Sequence, residues 1–237
     1  MKQIIPRKIT TYSYPDNCDD IPTIFRVEHF DESGRLTLEE MPETEVGSAQ
    51  VDRIEHYHDP EGREVEVREY RAGSLFRRKV NEFDDEGGES GFSEYDAAGF
   101  KVCDESIDWS HYGKVARVTR TEYARYLPPR KIRRVMYYRK DGKIAFISED
   151  GGIVKFHYNL EGLLVSKTLA HKGENGKMIT DQVLEFNSSG EPFLMKLYEE
   201  GECVSELETE YEYDGNGLWT RSYLADAHDY CREIEYY

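Results

Sequence analysis

An aromatic residue, then Asp or Asn, then two variable residues and a glycine recurs along this chain, and nothing else restricts its fold as much. The copy Tyr211-Glu-Tyr213-Asp214-Gly-Asn-Gly217-Leu218 shows why. Tyr211 and Tyr213 stand two apart, so in a strand they share one face. Asp214 can bond the backbone two residues on and start a turn. Gly217 supplies the positive φ that lets the chain reverse, which a Cβ would resist. The aromatic before the turn then packs across the next strand. Each copy therefore encodes a strand, a reversal and a second strand.

Further copies run from Phe30-Asp31 to Gly34, His58-Asp59 to Gly62, Phe83-Asp84 to Gly87, Tyr95-Asp96 to Gly99, Tyr158-Asn159 to Gly162 and Phe186-Asn187 to Gly190. Tyr138 leads to Gly142 without the acid, and Tyr70 to Gly73 and Tyr198 to Gly201 are one residue shorter. Asn for Asp keeps the same local bond. Reversals fall about 10 to 16 residues apart, the length of one strand and its turn. Alternate reversals lie about 20 to 29 residues apart, one hairpin per repeat, the period of stacked units that cannot bury a hydrophobic face alone.

The expected fold is all-β: an antiparallel meander of about 15 to 17 short strands from β-hairpin repeats. It forms a twisted and curled open sheet, with a partly closed barrel as the variant. The repeat shows no boundary, so residues 1–237 are expected to form a single domain. Arg221–Arg232 is the one stretch where a short helix or irregular end is expected. Asp84–Gly91 reads as a mobile acidic loop, and Tyr126-Leu-Pro-Pro-Arg130 as a hairpin tip.

Composition excludes several functions. A net charge of −17 argues against nucleic-acid binding. No apolar run is long enough for a membrane span. The polar start Met1-Lys2-Gln3-Ile4-Ile5 is no secretory leader, so a cytoplasmic location is expected. Cys18, Cys103, Cys203 and Cys231 lack metal spacing and read as reduced thiols. Charged residues reach 33% while 18 Tyr, 10 Phe and 2 Trp supply area to bury. That mixture suits a thin sheet with wet tyrosine and lysine tips rather than a disordered chain.

These residues resemble YD repeats, the tyrosine–aspartate repeats of Rhs and teneurin-type proteins. The copies at 211–219 and 156–163 carry the resemblance best, and weaker ones cover about residues 24–224. In large Rhs proteins the resemblance implies a curled β-shell around a toxin domain. At this length neither a closed shell nor a tip domain after the repeats is expected. His58-Asp59-Pro60-Glu61-Gly62-Arg63 resembles part of the motif that ends such shells, but lies near the wrong end and lacks paired aspartates. It reads as a turn. What the resemblance implies is a small free-standing repeat protein without a toxin or shell-closing domain.

Candidate sites are few. His56 and His58 would share one face beside Asp59, with His29 a repeat away; two imidazoles and a carboxylate can ligate zinc, but no third strong ligand is evident. No nucleophile elbow, Cys–His motif or phosphate loop is present, so neither an enzyme nor a cofactor is expected. The tyrosines, with Trp219, could stack on sugars or simply pack across strands.

The sharpest local feature is Lys114–Lys143, with eleven basic residues against two acids, Glu122 and Asp141. Its arginines Arg117, Arg120, Arg125, Arg130, Arg133, Arg134 and Arg139 would either meet an acidic partner or pair across strands with acids such as Asp108 and Glu149. The function expected is non-enzymatic protein–protein interaction, immunity- or adaptor-like and of bacterial type, with an acidic protein partner. The alternative is a carbohydrate-binding module. A homodimer through an unblunted sheet edge or the concave face is a further expectation.

Overall fold

The computed structural model describes residues 4–14, 22–42, 50–110, 114–149, 151–224 and 229–237. They form eighteen strands and no helix. The strands are β1 (Pro6–Tyr14), β2 (Thr23–Phe30), β3 (Leu36–Glu40), β4 (Arg53–His58), β5 (Glu64–Arg71), β6 (Ser74–Phe83), β7 (Glu89–Asp96), β8 (Lys101–Trp109) and β9 (Val115–Ala124). They continue as β10 (Leu127–Tyr138), β11 (Ile144–Glu149), β12 (Gly152–Tyr158), β13 (Leu164–Lys172), β14 (Met178–Phe186), β15 (Pro192–Glu199), β16 (Glu202–Tyr213), β17 (Trp219–Leu224) and β18 (Asp229–Tyr236).

The chain divides into two compact units. The first comprises Met1–Asp104 and Tyr211–Tyr237. Its ladder runs β17–β18–β1–β2–β3–β4–β5–β6–β7, antiparallel at each step. The second, Glu105–Glu210, runs β9–β10–β11–β12–β13–β14–β15–β16 in the same manner.

The repeated motif builds the reversals by two chemistries. In the longer form the side chain of the acid or amide caps the turn. Asp31 Oδ1 accepts the Ser33 N–H at 2.9 Å and the Arg35 N–H at 3.0 Å. Asp84, Asp96, Asn159, Asn187 and Asp214 make the same two bonds. The glycine three places on sits at φ between 78° (Gly34) and 88° (Gly190). The shorter form needs two consecutive positive φ angles, supplied by Ala72 and Gly73 at 48° and 72° and by Glu200 and Gly201 at 51° and 92°. That is the type I′ geometry, whose twist matches the flanking strands.

The register also shifts by one residue beside most long turns, between His29 and Phe30, Tyr57 and His58, Glu82 and Phe83, Tyr137 and Tyr138, His157 and Tyr158, and Glu185 and Phe186. Such bulges sharpen local twist.

Little is fully buried. Among the described residues, Ile9, Val27, Phe92 and Cys103 are the buried apolar side chains of the first unit, and Ala116 and Val118 those of the second. Cross-strand contacts between cations and rings add to the backbone ladders. Arg53 lies 4.1 Å from the Tyr70 ring centre, Arg68 4.5 Å from that of Tyr57, and Arg71 3.4 Å from that of Phe76. Each is worth ~0.5–1 kcal/mol at exposed sites. This explains a chain rich in both charge and aromatics.

Several expectations need correction. The described residues form eighteen strands, one more than the upper end of the 15 to 17 expected, and the all-β antiparallel arrangement is as expected. Arg221–Leu224 and Asp229–Arg232 are strand, not helix. The acidic loop is a four-residue turn, since Asp84 caps it and β7 has begun by Glu89. β1 is hydrogen-bonded to β2 on one side and to β18 on the other. The first and last strands therefore offer no free edge to a dimer. The turn expected at Pro15–Asn17, most of the loop 42–48 and the reversal near Gly113 lie outside the described residues. Cys18, named above as a reduced thiol, also lies outside the described residues.

Candidate interaction surface

β9 and β10 make the longest hairpin pairing of the second unit, from Tyr137 opposite Val115 to Leu127 opposite Ala124. The reversal sits at Arg125 and Tyr126, not across Tyr126–Arg130. The two prolines fall where the register skips between Leu127 and Arg130. Proline lacks an N–H and is tolerated where no ladder bond is owed.

β11 pairs with β10 only from Arg134 to Tyr138. The remainder, Leu127–Arg133, projects beyond it by about 20 Å, at 3.3 Å per residue. The tip is apolar and open to solvent: Tyr126 is 95% exposed and Leu127 70%.

Strand alternation splits the seven arginines. Register places Arg120 and Arg130 beside Glu122, Val118 and Arg134 on one face, and Arg117 with Arg133, Lys131 and Val135 on the other. On the first face the charges are compensated: Arg134 Nε lies 2.6 Å from Glu149 Oε2, Arg120 3.5 Å from Glu122 and Arg130 4.0 Å from it. On the second face Arg117, Lys131 and Arg133 are exposed, and among the described residues no carboxylate forms an ion pair with them. Arg117 and Arg133 line a cleft of about 280 Å³ with Asp108, Thr119 and Val135.

Arg125 stands at the tip. Arg139 does not belong to this surface. It lies in the turn at the opposite end of β10, paired with Asp141 at 3.3 Å and 4.9 Å from the Tyr158 ring centre.

The projecting edge is not built for strand addition. Tyr138 donates its N–H to Lys114, so Met136, Arg134 and Ile132 face β9, and Arg133 and Lys131 face the open side. The next residue on that side is Pro129, without a donor. Two charged residues closed by a proline are a protected edge. What this hairpin presents is side chains.

The histidine candidates lie in the first unit. His56 is held between two carboxylates, Nε2 2.8 Å from Glu39 Oε1 and Nδ1 2.8 Å from Glu64 Oε2. Glu39, only 7% exposed, also pairs with Arg26. The bond to Glu39 raises the His56 pKa against the opposing effect of burial, and the same bond, with Arg26, lowers that of Glu39. His29 turns to Glu40, at 3.0 Å. Both nitrogens of His56 are thus committed, and among the described residues no group of three or more His, Cys, Asp or Glu could hold a metal. This row joins neighbouring strands, so no sequence spacing announces it.

Trp219, the aromatic named for sugar stacking, has the Arg232 guanidinium 3.5 Å from its ring centre and Tyr211 packed edge-on at 6.0 Å. Its face is occupied by the sheet's own contacts.

No protein-family model matches the chain, and no curated protein matches it by sequence. Among solved structures, a porin-like protein from Bacteroides uniformis aligns over 97% of this chain and 96% of its own, at 10% identity and a TM-score of 0.43. A TcdB2-TccC3-Cdc42 structure aligns over 92% of this chain and 15% of that one, at 12% identity and a TM-score of 0.23. A protein of unknown function from Bacteroides fragilis aligns over 63% of this chain and 94% of its own, at 13% identity and a TM-score of 0.20.

Proposed function

We propose that this chain is a non-enzymatic interaction protein, a hairpin-repeat scaffold of the YD type that docks an acidic protein through the β9–β10 hairpin. The observation that carries this reading is the set of three exposed cations, Arg117, Lys131 and Arg133, with no ion pair among the described residues, on one face of a hairpin that outreaches its neighbour. In a chain of net charge −17 they form a positive surface where the rest repels an acidic molecule. Charges of this kind steer encounter and select the partner. Tyr126 and Leu127 at the tip supply the apolar contact that such a surface needs for affinity, tyrosine and arginine being frequent anchors of interfaces. An immunity- or adaptor-like role in a bacterial toxin system is the one that the repeat type suggests.

The test is capture from source-cell lysate with tagged protein at low and moderate salt. One protein, released as salt rises and absent with the Lys131→Glu/Arg133→Glu double variant, is the expected result. Undiminished capture by the double variant sinks the reading. Retention on a polysaccharide column with no protein captured transfers the function to sugar binding.

A further inference from the structure

A second site lies on the compensated face of the same unit and is independent of the hairpin reading. Register sets two rows side by side across β11, β12 and β13. One runs Ile147–Val154–Leu169; the other runs Glu149–Gly152–His171, with Arg134 next to Glu149. The first row is apolar. The second has no side chain at its centre. A Cβ on Gly152 would meet only backbone, the Glu149 carbonyl at 3.3 Å and that of Ala170 at 3.8 Å. The absent side chain opens a groove of about 490 Å³ between the rows. That volume falls in the range of ordinary small-molecule sites, about 300–1,000 Å³.

The rim specifies the ligand. On one side Arg134 is paired with Glu149 at 2.6 Å; on the other His171 Nδ1 lies 2.6 Å from Asp181 Oδ1. Arg134 and Glu149 are already each other's partner, as are His171 and Asp181, so an ionised ligand would have to displace a partner and leave it unpaired. The floor rewards apolar area, at ~25 cal/mol per Å² covered. We propose that this groove binds a neutral, mainly apolar small molecule, with the two rim pairs offering hydrogen bonds to its polar end.

The probe is N-phenyl-1-naphthylamine, neutral and fluorescent in apolar surroundings, compared with 8-anilinonaphthalene-1-sulfonate, of similar size and shape but anionic. The neutral dye is expected to bind saturably at one site per chain, at least tenfold more tightly than the sulfonate. Amide resonances of Gly152, Val154 and Leu169 should shift during its titration. Leu169→Glu should weaken it at least tenfold, while Leu169→Met, with its volume kept, should not. The amide shifts locate the dye in the unaltered protein even if the charged variant folds poorly. Equal or tighter binding of the sulfonate overturns the proposal, as do shifts confined to other strands or a fluorescence rise that never saturates.

Discussion

His56 Nε2 and Glu39 Oε1, on adjacent strands β4 and β3, stand 2.8 Å apart, and the remaining imidazole nitrogen meets Glu64 at the same distance. A neutral imidazole carries one N–H and cannot donate to both carboxylates; the imidazolium can. The folded state therefore holds the proton more tightly, and the His56 pKa is raised from its ordinary 6.5.

A raised histidine contributes stability fully below the unfolded value and loses it as pH rises through the folded one. Glu39, lowered from 4.5, contributes above that value and loses its share as pH falls through the folded one. The row is thus strongest between the two unfolded values, 4.5 and 6.5. Urea unfolding of the wild-type protein should show stability declining as pH climbs past about 6.5, by ~1–2 kcal/mol for a partly exposed pair. His56→Gln should be less stable at pH 6 by that amount and equal to the wild type once His56 is neutral. An unchanged alkaline limb in the variant would refute the assignment.

Asp214 ties two elements together. Its Oδ1 accepts the N–H groups of Asn216 at 2.8 Å and Leu218 at 3.0 Å, and its Oδ2 accepts the hydroxyl of Tyr236 on β18. The Tyr236 bond is the main reason that its pKa is lowered. Asp214→Ala strands two N–H groups and a phenol and should cost ~1–2 kcal/mol. Asp214→Asn keeps the turn caps, as Asn159 and Asn187 do in their own repeats, and should cost less than half as much. Urea midpoints at constant m-value read the difference.

The repeats are also coupled through cations. Arg63 follows the turn glycine Gly62, pairs with Asp59 at 2.6 Å and lies 4.6 Å from the ring centre of Phe83, the aromatic that ends the next hairpin. In unit two, Lys143 follows Gly142, lies 5.5 Å from the Tyr158 ring centre and donates to the Gly162 carbonyl. A double-mutant cycle on Arg63→Gln and Phe83→Leu should give a coupling of ~0.5–1 kcal/mol. A coupling indistinguishable from zero would show that this contact does not tie the two hairpins together.

What the sequence shows directly is whatever is decided within a few residues. Asp31 caps the backbone at Ser33 and Arg35, and Gly34 turns the chain, so strand, turn and period all follow from a five-residue pattern. The hairpin tip misleads because Pro128-Pro129 looks like a turn; the prolines instead occupy an irregular pairing just inside it. The face on which each arginine lies depends on strand alternation counted from the true turn, and moving the turn reassigns Arg133 and Arg134 to opposite faces. The His56 row and the gap at Gly152 are set by which residues neighbouring strands bring opposite, a relation between distant positions that no local motif encodes.

The shorter turns offer a way to strengthen the protein. Glu200 sits at φ 51° in the exposed reversal between β15 and β16, followed by Gly201 at 92°. The left-handed region costs a residue with an ordinary side chain ~1 kcal/mol, whereas asparagine enters it more readily and Asn-Gly is the favoured type I′ pair. Glu200→Asn should therefore raise stability by ~0.5–1 kcal/mol and shift the urea midpoint upward without changing its slope. It also removes one negative charge from a chain of −17, so Glu200→Gln serves as the control that removes the charge but keeps an unfavoured side chain. If Gln stabilises as much as Asn, the gain comes from reduced repulsion and not from the turn. If only Asn does, the strain at Glu200 is confirmed as a local cost of the repeat's short turn.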